Sequence, residues 1–109
     1  MTFRIRYTAR ARRDIHAAVK WWAENRSRDQ AERWFNGIHS AIASLVEDPG
    51  RFPLSPETDL LETDIRELHF GVRRKPTHRV VFTVQGDSVI ILRVRHHGQQ
   101  NLTDDDIAL

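Results

Sequence analysis

The chain has 109 residues, 39% of them hydrophobic and 29% charged, enough for one compact domain and too few for two, so residues 1–109 are read as a single domain. It has no cysteine, which excludes disulfides, thiolate nucleophiles and cysteine-ligated zinc; no run approaches the ~18 apolar residues of a membrane span, and MTFRIRY lacks the apolar stretch of a signal peptide. A soluble, unexported, cytoplasmic protein with no membrane partner is expected.

Phe3-Arg4-Ile5-Arg6-Tyr7 alternates apolar and basic residues, the period of a strand with one buried face. Thr8 caps the next element: Ala11, Ile15, Ala18, Val19 and Trp22 recur at helical spacing and predict a helix over about 9–25. Ser27 and Gln30 have capping-box spacing, and Ala31, Trp34, Phe35, Ile38, Ile42 and Leu45 form the stripe of a second helix ending near Asp48, before Pro49-Gly50. The short link between the helices predicts an antiparallel hairpin with both stripes facing a common sheet. Residues 49–63, with three prolines among acidic groups, read as an irregular crossing on the surface. Three strands complete the order, Ile65 to Phe70, Arg79 to Val84 and Val89 to Val94, the last two joined by Gln85-Gly86-Asp87-Ser88. The order β-α-α-β-β-β describes an α+β domain, a helical hairpin packed on a small, mostly antiparallel sheet.

Charge is sorted along the chain. The 17 Lys and Arg against 15 Asp and Glu give only +2, yet residues 1–46 hold a net +5, 47–68 a net −5, 69–100 a net +5 and 101–109 three aspartates. Fifteen of the cations are arginine, which favours planar bidentate pairing with phosphate or carboxylate. An anionic partner is the first expectation; the alternative is that the arginines only reflect genomic composition.

No Gly-rich phosphate loop, HExxH, EF-hand loop or GxSxG elbow is present. What remains is a constellation. His78-Arg79 opens one strand of the last hairpin and Arg93-Val94-Arg95-His96-His97 closes the other, so antiparallel pairing brings them to one end of the sheet as a cationic, histidine-bearing groove. Arginine can stabilise charge on a scissile phosphate and histidine, with a pKa near ~6.5, can move a proton, which suits RNA binding or cleavage. Against this stands the plainer reading of the histidines as polar strand ends. A metal at His96-His97 is set aside, because neighbours on an extended segment point to opposite faces and no third ligand is near. No metal and no cofactor are expected. Arg73, Arg74 and Lys75, in the basic connection GVRRKPT, join Arg93 and Arg95 as candidate contacts to a nucleic acid or other target. Arg10, Arg12 and Arg13 oppose the helix dipole in the first helical turn, so either an acidic partner or Asp104-Asp105-Asp106 neutralises them or, more simply, they form a solvated face. Trp22 and Trp34 fall in the core, whereas Trp21 either finishes the core or stands exposed as an anchor for a protein partner.

Tyr7-Thr8 leading into Asp14-Ile15 and Trp21-Trp22, then Ala31 to Leu45 ending at Pro49, Ile65-Arg66-Glu67-Leu68, His78-Arg79-Val80-Val81-Phe82 and Ile91-Leu92-Arg93-Val94-Arg95-His96, taken in that order, resemble the RelE/ParE toxins of type II toxin-antitoxin systems over nearly the full chain. The resemblance implies a small toxin held inactive by a cognate antitoxin whose extended or helical segment wraps it, with Arg10, Arg12, Arg13 and Trp21 as candidate antitoxin contacts. Its RelE-like branch cleaves mRNA on the ribosome and its ParE-like branch poisons DNA gyrase without a recognised nuclease set. Arg79 and His96 match the strand arginine and terminal histidine of the nuclease branch, Glu67 is a possible general base by type, and His97 stands where a tyrosine is common. These four are catalytic only if the chain is RelE-like. The chain is a ribonuclease in that case and no enzyme if ParE-like. The Arg66-Glu67-Leu68 segment, the long hairpin and the Arg95-His96 ending look more like the ParE-like branch. Inhibition of gyrase is therefore the leading expectation, mRNA cleavage the alternative, and a non-toxic RNA-binding domain the third.

Overall fold

Thr8 ends the first strand and starts the first helix with one side chain: its Oγ1 accepts the Ala11 N–H at 3.1 Å and donates to the Leu92 carbonyl at 3.0 Å. A computed structural model describes residues 2–99 and 101–107. Within them β1 (Arg4–Tyr7) leads into α1 (Ala9–Asn25) and α2 (Arg28–Ala43), and β2 (Ile65–Phe70), β3 (His78–Gln85) and β4 (Ser88–His96) come after. Ser27 caps α2 by accepting the Gln30 N–H, as its spacing predicts. The helix stops at Ala43 rather than near Asp48, tightening into a 3₁₀ turn over Ser44–Val46 that keeps Leu45 buried.

The sheet order is β1-β4-β3-β2. β2-β3-β4 are antiparallel, and β1 lies parallel to β4 on the far side. Gly86, at φ +59°, makes the tight turn between β3 and β4, a conformation in which a Cβ is strained. Between Val81 and Phe82 the β3–β4 register slips by one residue, leaving Leu92 as the extra residue of a bulge.

Each face of the sheet has a core. On the inner face Leu68, Val80, Phe82, Val89 and Ile91 pack with Ala11 and Ile15 of α1 and Trp34, Ile38 and Ile42 of α2. Phe35, one position past Trp34, falls off the buried stripe. It is 44% exposed and packs on the His39 ring, centroids 4.4 Å apart. On the outer face Ile65, Val81, Ile90 and Leu92 pack with Leu102, while Leu60, Leu61 and Ile107 complete the layer. The 49–63 crossing is therefore a cover rather than the surface excursion expected. Its Ser55 and Glu57 are buried, and its backbone is stitched to β2 through Ser55 N–H to the Ile65 carbonyl and Glu67 N–H to the Pro53 carbonyl. The physical reason is the apolar alternation of β3 and β4, which leaves Val81, Ile90 and Leu92 on the side away from the helices.

Among the described residues no helix is long and apolar enough to cross a membrane. The basic loop after β2 turns tightly at Gly71, where an added Cβ would fall 2.5 Å from the Lys75 carbonyl oxygen and 2.9 Å from Pro76 Cα, both backbone atoms. Gly71→Ala should therefore lower stability by about 1–3 kcal/mol. A urea-unfolding midpoint unchanged from the parent would contradict this close approach.

Candidate functional site

The bulge at Leu92 sets which side chains of the last hairpin share a face. His78 pairs with His96, and Arg79 with Arg95, at the open end of the hairpin. His78 and His96 lie on the inner, helix-covered face. Their rings meet edge-on at 5.1 Å, and His78 meets Trp34 at 5.1 Å on the same side. Arg79 and His97 lie on the outer face with Glu67 and His69 of β2. The groove joining Arg79, Arg93, Arg95 and His96 does not form: pairing brings these residues to one end of the sheet, but the pleat divides Arg79 from His96.

Arg79 is 8% exposed and held by two carboxylates. Nη1 donates to Glu57 Oε1 at 2.7 Å and to Glu67 Oε1 at 3.1 Å, and Nη2 is paired with Glu57 Oε2. The second Glu57 oxygen also accepts the Leu102 N–H at 2.8 Å, and the Ser55 hydroxyl donates to the first. Burial pushes the Glu57 carboxyl up, but the Arg79 guanidinium, the Ser55 hydroxyl and the Leu102 N–H together bring it down to about 2. The Glu57 carboxylate in turn raises the Arg79 pKa against its burial. Sequence reasoning does not find Glu57 and Ser55 as site residues, because nothing in a proline-interrupted acidic run marks which carboxylate turns inward.

Arg93 has its own partner. Its Nε and Nη2 reach the two oxygens of Asp14 at 2.7 and 3.0 Å, and Nη1 donates to the Asp106 carbonyl at 3.1 Å. Asp14 also accepts the Val94 N–H at 2.9 Å, at the stretch of β4 that runs on past the end of β1. The Asp14 carboxylate raises the Arg93 pKa.

The outer face carries a hydrogen-bonded chain of titratable side chains. Glu67 Oε2 lies 2.7 Å from His69 Nε2, and His69 Nδ1 lies 3.2 Å from His97 Nε2. With a neutral His69 donating to the carboxylate, its Nδ1 accepts from His97, so a buried carboxylate orients an exposed imidazole pair. Among the described residues no group of three or more His, Cys, Asp or Glu is placed to hold a metal ion.

The remaining sites spread over two regions. Arg73, Arg74 and Lys75 are exposed on the loop between β2 and β3, beside the end of β4, where the Thr77 carbonyl accepts the His97 N–H at 2.9 Å. Arg95 is half-buried on β4. Arg10 donates to the backbone carbonyl of Asp105, which brings the turn Asp104–Asp106 beside the first turn of α1 through a main-chain contact rather than a carboxylate. Arg12 faces the other way, its guanidinium 5.5 Å from the centre of the Tyr7 ring, and Arg13 is exposed. Trp34 is fully buried and Trp22 half-buried, while Trp21 is 49% exposed and meets Trp22 edge-on.

Two groups make stability acid-sensitive. Burial, helped by the charges of His96 and His97, pulls the His78 pKa from 6.5 to about 4. The unfolded chain therefore binds a proton there that the folded chain refuses, and stability falls as pH drops from 6.5 toward 4. Glu57, ordinarily near 4.5 and here about 2, contributes stability above pH 4.5 that is lost as pH falls toward 2. The thermal midpoint should decline in both windows. His78→Phe should flatten the upper one, and Glu57→Gln should flatten the lower one while costing about 1–3 kcal/mol at neutral pH, since it removes the carboxylate that takes both guanidinium nitrogens and leaves Arg79 on the single Glu67 contact. Parallel midpoint-versus-pH curves for parent and variants would refute the assignment.

Residues 5–101 match the family described as the ParE toxin of the type II toxin-antitoxin system, parDE. The fold is similar to that of the chromosomal ParDE toxin-antitoxin system from P. aeruginosa, at 17% identity and a TM-score of 0.69, covering 87% of this chain and 96% of that one. It also aligns with the toxin-antitoxin complex RelBE2 from Mycobacterium tuberculosis, at 26% identity and a TM-score of 0.46, covering 89% and 100%. No curated protein matches. With two helices laid on a four-stranded, mostly antiparallel sheet and nearly its whole length matched, the chain belongs to the ParE toxin family of type II toxin-antitoxin systems, within the RelE/ParE superfamily.

Proposed function

We propose that this toxin inhibits growth by binding, with DNA gyrase as its target, and that a cognate antitoxin holds it inactive by covering its basic helical face. The observation that carries this reading is the state of Arg79. The one arginine that matches the nuclease branch is buried, bound by two carboxylates and on the opposite side of the sheet from His96. A guanidinium engaged by internal carboxylates cannot stabilise charge on a scissile phosphate without first breaking a buried pair. The family match to ParE toxins supports the same target class, and the solved toxin-antitoxin systems of similar fold support an antitoxin partner.

A second reading, ribosome-dependent mRNA cleavage, has one observation in its favour: Glu67, His69 and His97 form a continuous hydrogen-bonded path ending at an exposed imidazole. Here His97, not His96, would handle the proton.

Induced expression of the chain alone should arrest growth, and co-expression of a cognate antitoxin should restore it. The purified chain should block gyrase supercoiling, with His97→Ala retaining the block within about twofold and bulk mRNA staying intact by primer extension. Codon-linked mRNA cleavage that disappears in His97→Ala, with supercoiling untouched, would replace the first reading by the second. Harmless expression in both settings would leave a non-toxic RNA-binding domain.

A further inference from the structure

His96 and His97 cannot share an ion, because adjacent side chains on an extended segment diverge and the two rings stand on opposite faces of the sheet. The fold gives His97 a different neighbour, His69, 28 positions earlier in the chain. Both residues are exposed on the outer face, His69 from β2 and His97 from just past β4, where the Thr77 carbonyl accepts the His97 N–H. Their ring planes are 71° apart, and His69 Nδ1 lies 3.2 Å from His97 Nε2. That spacing is the bite of a tetrahedral ion: two imidazole nitrogens bound at about 2.0–2.1 Å to one zinc ion are roughly 3.3 Å apart. Arg79, the β3 residue paired with His69, does not compete for the gap, because its guanidinium is buried between Glu57 and Glu67.

The other nitrogen of His69 is held as a metal ligand's is. Glu67 Oε2 lies 2.7 Å from His69 Nε2, and the Glu67 side chain is itself only 10% exposed, so the carboxylate fixes the ring with its Nδ1 lone pair toward His97. Glu57 and Glu67 against the single Arg79 guanidinium leave one formal negative charge behind the ring, which favours a cation in front of it. Filling the gap costs one imidazole–imidazole hydrogen bond and needs only a tautomer change at His97, whose proton moves from Nε2 to Nδ1. We propose that His69 Nδ1 and His97 Nε2 form a surface site for a divalent ion of the zinc class, oriented by Glu67 through His69. Two imidazoles with no carboxylate oxygen bound to the ion select zinc, nickel or copper over magnesium or calcium. Two of the four tetrahedral positions stay with water, so the ion exchanges readily and ties the end of β4 to β2 rather than completing the fold. The site does not depend on which target the toxin binds.

Zinc chloride titrated calorimetrically into the untagged full chain at neutral pH should bind as one ion per chain. Zinc at tenfold its Kd should raise the thermal midpoint by roughly 5 °C. His69→Ala and His97→Ala, each at an exposed ring, should weaken binding at least tenfold and abolish the shift, while His16→Ala, which removes an exposed histidine of α1, should keep the Kd within twofold. Glu67→Gln should weaken binding by about tenfold with the stoichiometry unchanged. Millimolar magnesium should leave the midpoint where it is. Urea midpoints confirm that each variant is folded. A parent chain that gives neither heat nor midpoint shift up to millimolar zinc overturns the site, as does zinc binding that survives in the folded His69→Ala, His97→Ala double variant. A stoichiometry of one ion per two chains would divide the ligands between copies and also overturns it.

Discussion

The outer half of the molecule depends on one buried ion group, the Arg79 guanidinium between Glu57 and Glu67. Glu57 comes from the irregular crossing, Glu67 from β2 and Arg79 from β3, and the second oxygen of Glu57 also reaches the backbone of Leu102. Four distant stretches therefore meet at one charge cluster. Burying these ions has a desolvation cost that Coulomb attraction does no more than roughly offset, so the cluster adds little net stability of its own. It does tie the stretches together, because loss of Arg79 strands two carboxylates under the cover and loss of Glu57 leaves the Leu102 N–H without its acceptor. A cover held by apolar contacts alone, Leu60, Leu61 and Ile107 on Ile65, Val81 and Leu92, would have little to fix its register.

The same pairing explains the sorting of charge along the chain. The acidic run of residues 47–68 folds back over the basic strands that come after it, and the terminal aspartates return to Arg10 and Arg93. Arg79 and Arg93, which look in the sequence like parts of a surface awaiting an anion, are thus halves of internal contacts. The exposed cations include Arg73, Arg74 and Lys75 on the loop between β2 and β3, Arg12, Arg13 and Lys20 on α1, and Arg28 and Arg33 on α2.

Much of this is legible in the residues. Thr8 and Ser27 mark the helix starts, and the 3.6-residue stripes bury Ile15, Trp34 and Ile38. The alternation of β2, β3 and β4 marks three strands of similar core length. The bulge is not legible. Without the extra residue at Leu92, strict alternation would turn Arg93 toward the helical core and put His96 on the face of Arg79. The slip spares Arg93 that burial and moves His96 to the other side. No local signal in Ile-Ile-Leu-Arg-Val announces it, since the decision is tertiary: Asp14 on α1 is the carboxylate that holds Arg93 in position. The inward turn of Glu57 is hidden for a similar reason. Proline and acidic residues describe an exposed linker until the apolar outer face of the sheet requires something to lie on it.

The parallel pairing of β1 with β4 places Arg4 opposite Ser88. Every other strand contact is made between segments close to one another in the chain, but this edge joins residues more than eighty positions apart. As the nascent chain emerges during translation, β1 and both helices appear first, and β1 has no strand to pair with until β4 arrives. The sheet is closed late, because its β1 edge waits for the last strand of the chain.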